Sequence, residues 1–158
     1  MERPPVERPS LYEFAGGEPA FLALAAAHHL RCLEDPVLNH PFSHRDNPEH
    51  IPRLAAYWAE VLGGPPAFSE RCGGHLAMIR MHANMGAADE MGERFVAAFA
   101  QAIDDADLPA DPDFRAALLA YMRWATGEVM VYSPYEAAVP DRLAMPHWDW
   151  DGLVKEEA

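Results

Sequence analysis

Basic residues are scarce in this chain: 12 Lys and Arg stand against 25 Asp and Glu, a formal charge of −13 over 158 residues. A surface this acidic excludes nucleic acid and anionic membrane as main partners, since it repels both polyanions. Cysteine is rarer still. Cys32 and Cys72 form no Cys-x-x-Cys pair and no disulfide framework, so a reducing cytoplasm is the expected setting. No apolar run reaches the roughly 18 residues of a membrane helix. The longest, Ala20 to Ala27, stops at His28-His29. The opening Met1-Glu2-Arg3-Pro4-Pro5 lacks the basic-then-apolar pattern of a secretory signal. Period-two alternation is missing too, which leaves helices as the expected elements.

Half of the residues are hydrophobic, enough for a core, and the length suits one domain. Ser10 is placed to cap a short helix from Leu11 to Phe14, stopped by Gly16-Gly17. A longer helix is expected from Glu18 to Leu33, with Phe21, Leu22, Ala25 and Cys32 at helical intervals. Asn47-Pro48-Glu49 reads as a cap with proline in the first turn, opening a helix to about Leu62. Gly73-Gly74 makes the stretch from Ser69 ambiguous. Helices follow at Leu76 to His82, Ala88 to Ala106, and Asp111-Pro112 through Tyr132. The last carries an apolar stripe of Leu118, Tyr121, Met122, Ala125, Val129 and Tyr132. The tail after Glu136 holds Trp148 and Trp150, which would let it dock on the body. If exposed, these and the methionines would instead suit a homodimer contact.

Eight histidines are the unexpected part of so acidic a composition. His28 and Cys32 are four apart on one helix, but a second ligand pair at similar spacing is lacking, which favours Cys32 as core. Pro41 breaks any helix between His40 and His44. His75 and His82 lie two turns apart on one face, near Met78 and Met85. A single histidine on an apolar helix suits haem iron, which needs one imidazole from the protein and a dry slot on its other face. His82, within Leu76-Ala77-Met78-Ile79-Arg80-Met81-His82, has such neighbours.

Five segments in order then carry a family resemblance. They are Leu11-Tyr12-Glu13-Phe14-Ala15-Gly16-Gly17-Glu18, Glu34-Asp35-Pro36-Val37-Leu38, the run Gly63-Gly64-Pro65 with Phe68-Ser69-Glu70-Arg71 and Gly74-His75, then Arg80-Met81-His82-Ala83, and Tyr132-Ser133-Pro134-Tyr135. Together they resemble the bacterial truncated haemoglobins, in particular their second group. The likeness covers residues 10–135 and implies an all-α, two-over-two helical sandwich. Residues 1–9 would be a loose N-terminal arm and 136–158 a C-terminal extension.

The resemblance implies haem b as cofactor, with His82 as the iron ligand. It assigns Phe42, Leu54, Trp58, Met78 and Phe95 to the walls of the haem pocket. Arg80 becomes a candidate partner for a propionate, with Arg45, Arg53 and Arg71 as substitutes. His29 falls where the group usually has a ligand-binding tyrosine, and Phe95 where it usually has a tryptophan. Phe95 donates no hydrogen bond, and a neutral imidazole donates only from one nitrogen. In compensation, His50 falls at the distal gate, so His29 and His50 are the candidate catalytic residues. Met81 stands where arginine often precedes the proximal histidine. Cys72-Gly73 looks like a one-residue insertion, with His75 structural at that turn. Because neighbours on a helix point about 100° apart, a shift of one residue would exchange His29 for His28.

The function implied is binding of oxygen and other small ligands at iron, with redox chemistry on nitric oxide or peroxide and an electron-donor reductase. Two other readings stand beside it: a carrier or sensor without turnover, and a helical interaction module without haem.

Overall fold

The computed structural model describes residues 8–39 and 49–154. Seven helices among them follow local signals closely. Helix α1 (Leu11–Ala15) starts where Ser10 Oγ accepts the Glu13 amide at 3.1 Å, and it ends at Gly16, at φ +120°. That cap satisfies one of the orphan amides of the first turn, worth about 1 kcal/mol. Helix α2 (Glu18–Glu34) carries Pro19 at its start, where no amide hydrogen is needed. Helix α3 (His50–Val61) tolerates Pro52 for the same reason. The expected opening at Asn47-Pro48 lies outside the described residues.

The ambiguous stretch resolves into two pieces. Helix α4 (Ala67–Arg71) is one short turn, and α5 (Gly74–His82) follows Gly73, with Gly73 and Gly74 both at positive φ. A side chain at Gly73 would press on the Ala77 methyl at 3.0 Å, so glycine is required there for space as well as conformation. Helix α6 spans Asp89–Asp105. Helix α7 spans Pro112–Tyr132, with Asp111 Oδ1 accepting the Phe114 amide at 2.9 Å.

Helix α2 packs across both α3 and α6, and α6 packs against α7, which makes the two-over-two arrangement. Phe21 and Leu24 from α2, Phe99 and Ile103 from α6, and Phe114, Leu118 and Tyr121 from α7 are fully buried between them. Burying each such side chain contributes on the order of 2 kcal/mol. The bidentate Arg31–Asp105 pair (2.6 and 2.8 Å) bridges α2 and α6 at the surface, where solvent leaves it a minor contribution.

The tail adds the strands the sequence pattern did not signal. Trp148–Asp149 (β1) pairs antiparallel with Gly152–Leu153 (β2), a ladder too short to show a period. It docks on its own chain. Trp148 lies 5.8 Å from the Tyr121 ring and 5.7 Å from Trp124. Trp150 meets Phe14 edge-on at 5.0 Å, donates from Nε1 to the Pro9 carbonyl at 2.9 Å, and lies under the Arg8 guanidinium. No described helix is long and apolar enough to cross a membrane.

Candidate haem site

His82 ends helix α5 with its ring exposed, and its Nδ1 lies 2.8 Å from the carbonyl oxygen of Met78. A carbonyl only accepts, so Nδ1 carries the hydrogen and Nε2 carries the lone pair. The carbonyl belongs to the preceding helical turn, and the helix stops directly after His82, at Ala83, whose backbone is extended. A metal-ligating histidine is usually oriented by such a partner, which also raises the basicity of the ligating nitrogen. The helix end is pinned from beyond. Asn84, at φ 60°, holds Nδ2 within 2.8–3.2 Å of the carbonyls of Pro134, Tyr135 and Ala137. Its amide donates to the Tyr132 carbonyl at 2.9 Å, and Gly86 donates to that of Ser133 at 2.7 Å. The end of α7 thus fixes the segment that follows His82.

Three methionines lie near His82 in the chain. Met78 is half-buried against the core, whereas Met81 and Met85 are 47% and 52% exposed. Arg80 is exposed on the same helix, Arg53 pairs with Glu49 at 2.9 Å, and Arg71 is exposed. Arg45 and Phe42 lie outside the described residues.

The histidines of α2 divide as their angular offset requires. His28 is fully buried, with its ring 4.3 Å from Phe95, 5.4 Å from Trp58 and 6.1 Å from Phe99. Its Nε2 donates to the Phe95 carbonyl at 3.3 Å, and its nitrogens lie 3.6 and 3.7 Å from Cys32 Sγ. Burial drives its pKa down to about 4, helped by the nearby His29 and His50. Burial also pushes the Cys32 thiol up to about 12. The helical spacing does bring His28 and Cys32 together, but as a neutral imidazole and a protonated thiol inside the core. Among the described residues no three His, Cys, Asp or Glu side chains converge as a metal cluster.

His29 turns the other way. Its ring lies 5.1 Å from that of His50, tilted by 52°, so α2 and α3 face two half-buried imidazoles toward each other. Leu54, one turn after His50, is half-buried against the core. Trp58, a further turn on, is 3% exposed and packs on Phe99 at 5.2 Å, inside the body. Phe95 is half-buried between His28 and the core.

A model of the bacterial-like globin family matches residues 10–128, three quarters of the chain. The chain belongs to that family. Solved structures agree with the assignment. A haemoglobin from the thermophilic bacterium Chloroflexus aurantiacus is 26% identical with a TM-score of 0.67, over 77% of this chain and 98% of that one. A thermostable haemoglobin from Thermobifida fusca is 29% identical with a TM-score of 0.64, over 84% and 100%. The group II truncated haemoglobin of Bacillus anthracis, at 21% identity, has the same fold with a TM-score of 0.69 over 84% and 98%. No curated protein matches the chain significantly.

The chain is thus a haem globin of the truncated kind, and its family binds small gaseous ligands such as oxygen. The residues present fit the cofactor. His82, with its Nδ1 hydrogen-bonded, lies in one segment with the half-buried Met78 and the exposed Met81 and Met85, apolar side chains that a large apolar ring would cover.

One polar cluster of this globin escaped the sequence reading. His75, 3% exposed, takes Tyr57 at Nδ1 (2.8 Å) and Glu128 at Nε2 (2.5 Å). Its expected role at the glycine turn foresaw neither partner. They lie 18 and 53 residues away on α3 and α7, and no local spacing signals them.

Proposed function

We propose that this globin binds oxygen and related diatomic ligands at a haem b iron ligated by His82, and that it turns over nitric oxide or peroxide with an external electron donor. The observation that carries the reading is the His82 Nδ1–Met78 carbonyl hydrogen bond, which supports Nε2 as the ligating nitrogen. The haem supplies the redox and ligand-binding chemistry. Met78 and Leu54 would line its faces, with Phe42 and Phe95 as further apolar walls and Arg80 as the cation nearest His82 in sequence. Trp58 would act from behind the wall, by holding His28 and Phe99 in place.

His29 and His50 would supply the polar side. Each neutral ring carries one N–H donor and one acceptor, so the pair can donate to a ligand while keeping a lone pair for a proton. The core domain of the reading is residues 10–135, with 1–9 and 136–158 as appendages. Its setting is a reducing cytoplasm, in keeping with the free Cys32 and Cys72.

Absorption spectra of the ferric and ferrous protein test the binding part. A Soret band that survives unchanged in His82→Ala would remove His82 from the iron. Turnover is tested by supplying a reductant and following repeated nitric oxide or peroxide consumption. A single stoichiometric event, with no further cycles, would leave a carrier.

A further inference from the structure

The cluster of Tyr57, His75 and Glu128 has a direction built into it. A carboxylate only accepts, so the 2.5 Å contact requires the hydrogen on His75 Nε2. In the neutral ring His75 Nδ1 is then the acceptor, and the Tyr57 hydroxyl donates to it across 2.8 Å. For that ring the donor–acceptor order runs from Tyr57 through His75 to Glu128, with the Tyr121 hydroxyl beside that of Tyr57. The chain of bonds also runs from inside to outside: the Tyr57 and His75 side chains are buried, while that of Glu128 is 24% exposed. Its acceptor end thus lies on a partly exposed side chain.

Packing alone does not account for it. Buried polar chains are commonly no more stabilising than apolar side chains of the same shape, so three linked polar groups call for another role. The phenol itself is held protonated: burial, together with the nearby Tyr121 and Glu128, pushes the Tyr57 pKa far above its ordinary value. Acid–base use as a phenolate is closed to it. Loss of an electron is different, because an oxidised phenol becomes a strong acid and can leave its proton on a base already hydrogen-bonded to it. His75 is that base.

We propose that Tyr57, His75 and Glu128 form a proton-coupled redox relay, in which Tyr57 serves as an internal one-electron donor. The acceptor is a strong one-electron oxidant. In the cell this would be the peroxide-treated haem, and to that extent the proposal rests on the peroxide reading above. The step balances within the cluster. Tyr57 loses one electron to the oxidant and its O–H bond breaks. The proton bonds to His75 Nδ1, and the proton on Nε2 passes to Glu128 Oε1. One electron from a reductant reverses all three transfers. The position of Tyr57 suits electron donation toward the haem side. It precedes Trp58 on α3, the helix that also carries His50 and Leu54, and Trp58 lies against Phe99 and His28.

The test oxidises the haem-loaded protein in two ways, by flash-generated tris(bipyridine)ruthenium(III) and by hydrogen peroxide, and traps radicals by freezing for electron paramagnetic resonance. Tyr57→Phe removes one oxygen and keeps the ring against Phe68. Under the ruthenium oxidant a neutral tyrosyl signal is expected in the parent and in Tyr121→Phe, and its loss in Tyr57→Phe. His75→Gln should form the radical at least about a hundredfold more slowly, the usual scale of a lost general base. A signal of unchanged shape and intensity in Tyr57→Phe, or unchanged kinetics in His75→Gln, overturns the relay. If the ruthenium signal behaves as expected while peroxide yields none, the relay stands and the peroxide reading of the haem site falls.

Discussion

The imidazoles of His29 and His50 face each other from α2 and α3, with ring centroids 5.1 Å apart. A pair of this kind offers a donor and an acceptor to the same ligand. His29→Phe and His50→Leu should each speed oxygen dissociation, by about tenfold for one lost hydrogen bond of ordinary strength. The double variant should show less than the sum of the two effects, because each removes part of the same network. Stopped-flow displacement measures all three; unchanged rates in both single variants would move the pair out of the ligand's reach.

His28 should make stability depend on pH. The unfolded chain protonates this ring near pH 6.5, whereas the folded chain keeps it neutral down to about pH 4. Stability is therefore lost as pH falls from 6.5 toward 4, by about 3 kcal/mol in all, because the unfolded state takes the proton first. His28→Gln can keep a donor for the Phe95 carbonyl and does not titrate. Denaturant unfolding at about pH 7 and about pH 4.5, either side of most of that loss, should show a smaller pH effect in the variant. Equal losses would mean that the ring is reached by water.

Asn84 stands two residues after His82, the proposed iron ligand. Asn84→Ala removes the hydrogen bonds to the α7 end and leaves a Cβ residue at φ 60°, an expected cost of about 2 kcal/mol. Asn84→Gly loses the same bonds but accepts the backbone, so comparing the two separates strain from hydrogen bonding. Both variants should bind haem more weakly, since the segment after His82 loses its anchor. Haem transfer to apomyoglobin gives the rate, and parental rates in both would uncouple Asn84 from the proximal helix.

Trp150 fastens the tail to the body through its ring contacts with Phe14 and Phe114 and its bond to the Pro9 carbonyl. Trp150→Ala should lower stability by about 3 kcal/mol, within the range for a truncated, partly buried tryptophan. Limited proteolysis should then cut within residues 136–154 well before the helices. A variant as resistant as the parent would show that Trp148, against Tyr121 and Trp124, holds the tail alone.

Much of this was legible in the residue order, and the reasons are local. Ser10 and Asp111 cap their helices through the third residue on, so their sequence context contains the whole interaction. The Gly73-Gly74 break needs only a backbone at positive φ. His82 and the carbonyl that accepts from its Nδ1 are four residues apart on one helix, so that hydrogen bond too is a local one. The division of His28 from His29 follows from the turn angle alone, although the angle does not say which of the two faces the core.

What lies inside the body was decided by how the helices cross. His28 is neutral because α3 and α6 close over it with Trp58, Phe95 and Phe99. His29 meets His50 because α2 and α3 pack at that point along their lengths. Tyr57, His75 and Glu128 come from three helices, and the tail returns more than a hundred residues to reach Phe14 and Pro9. Caps and turns draw on neighbours a few bonds away, so residue order determines them. Contacts between helices depend on crossing points set by the packing of the entire core, and only the assembled fold brings those side chains within reach of one another.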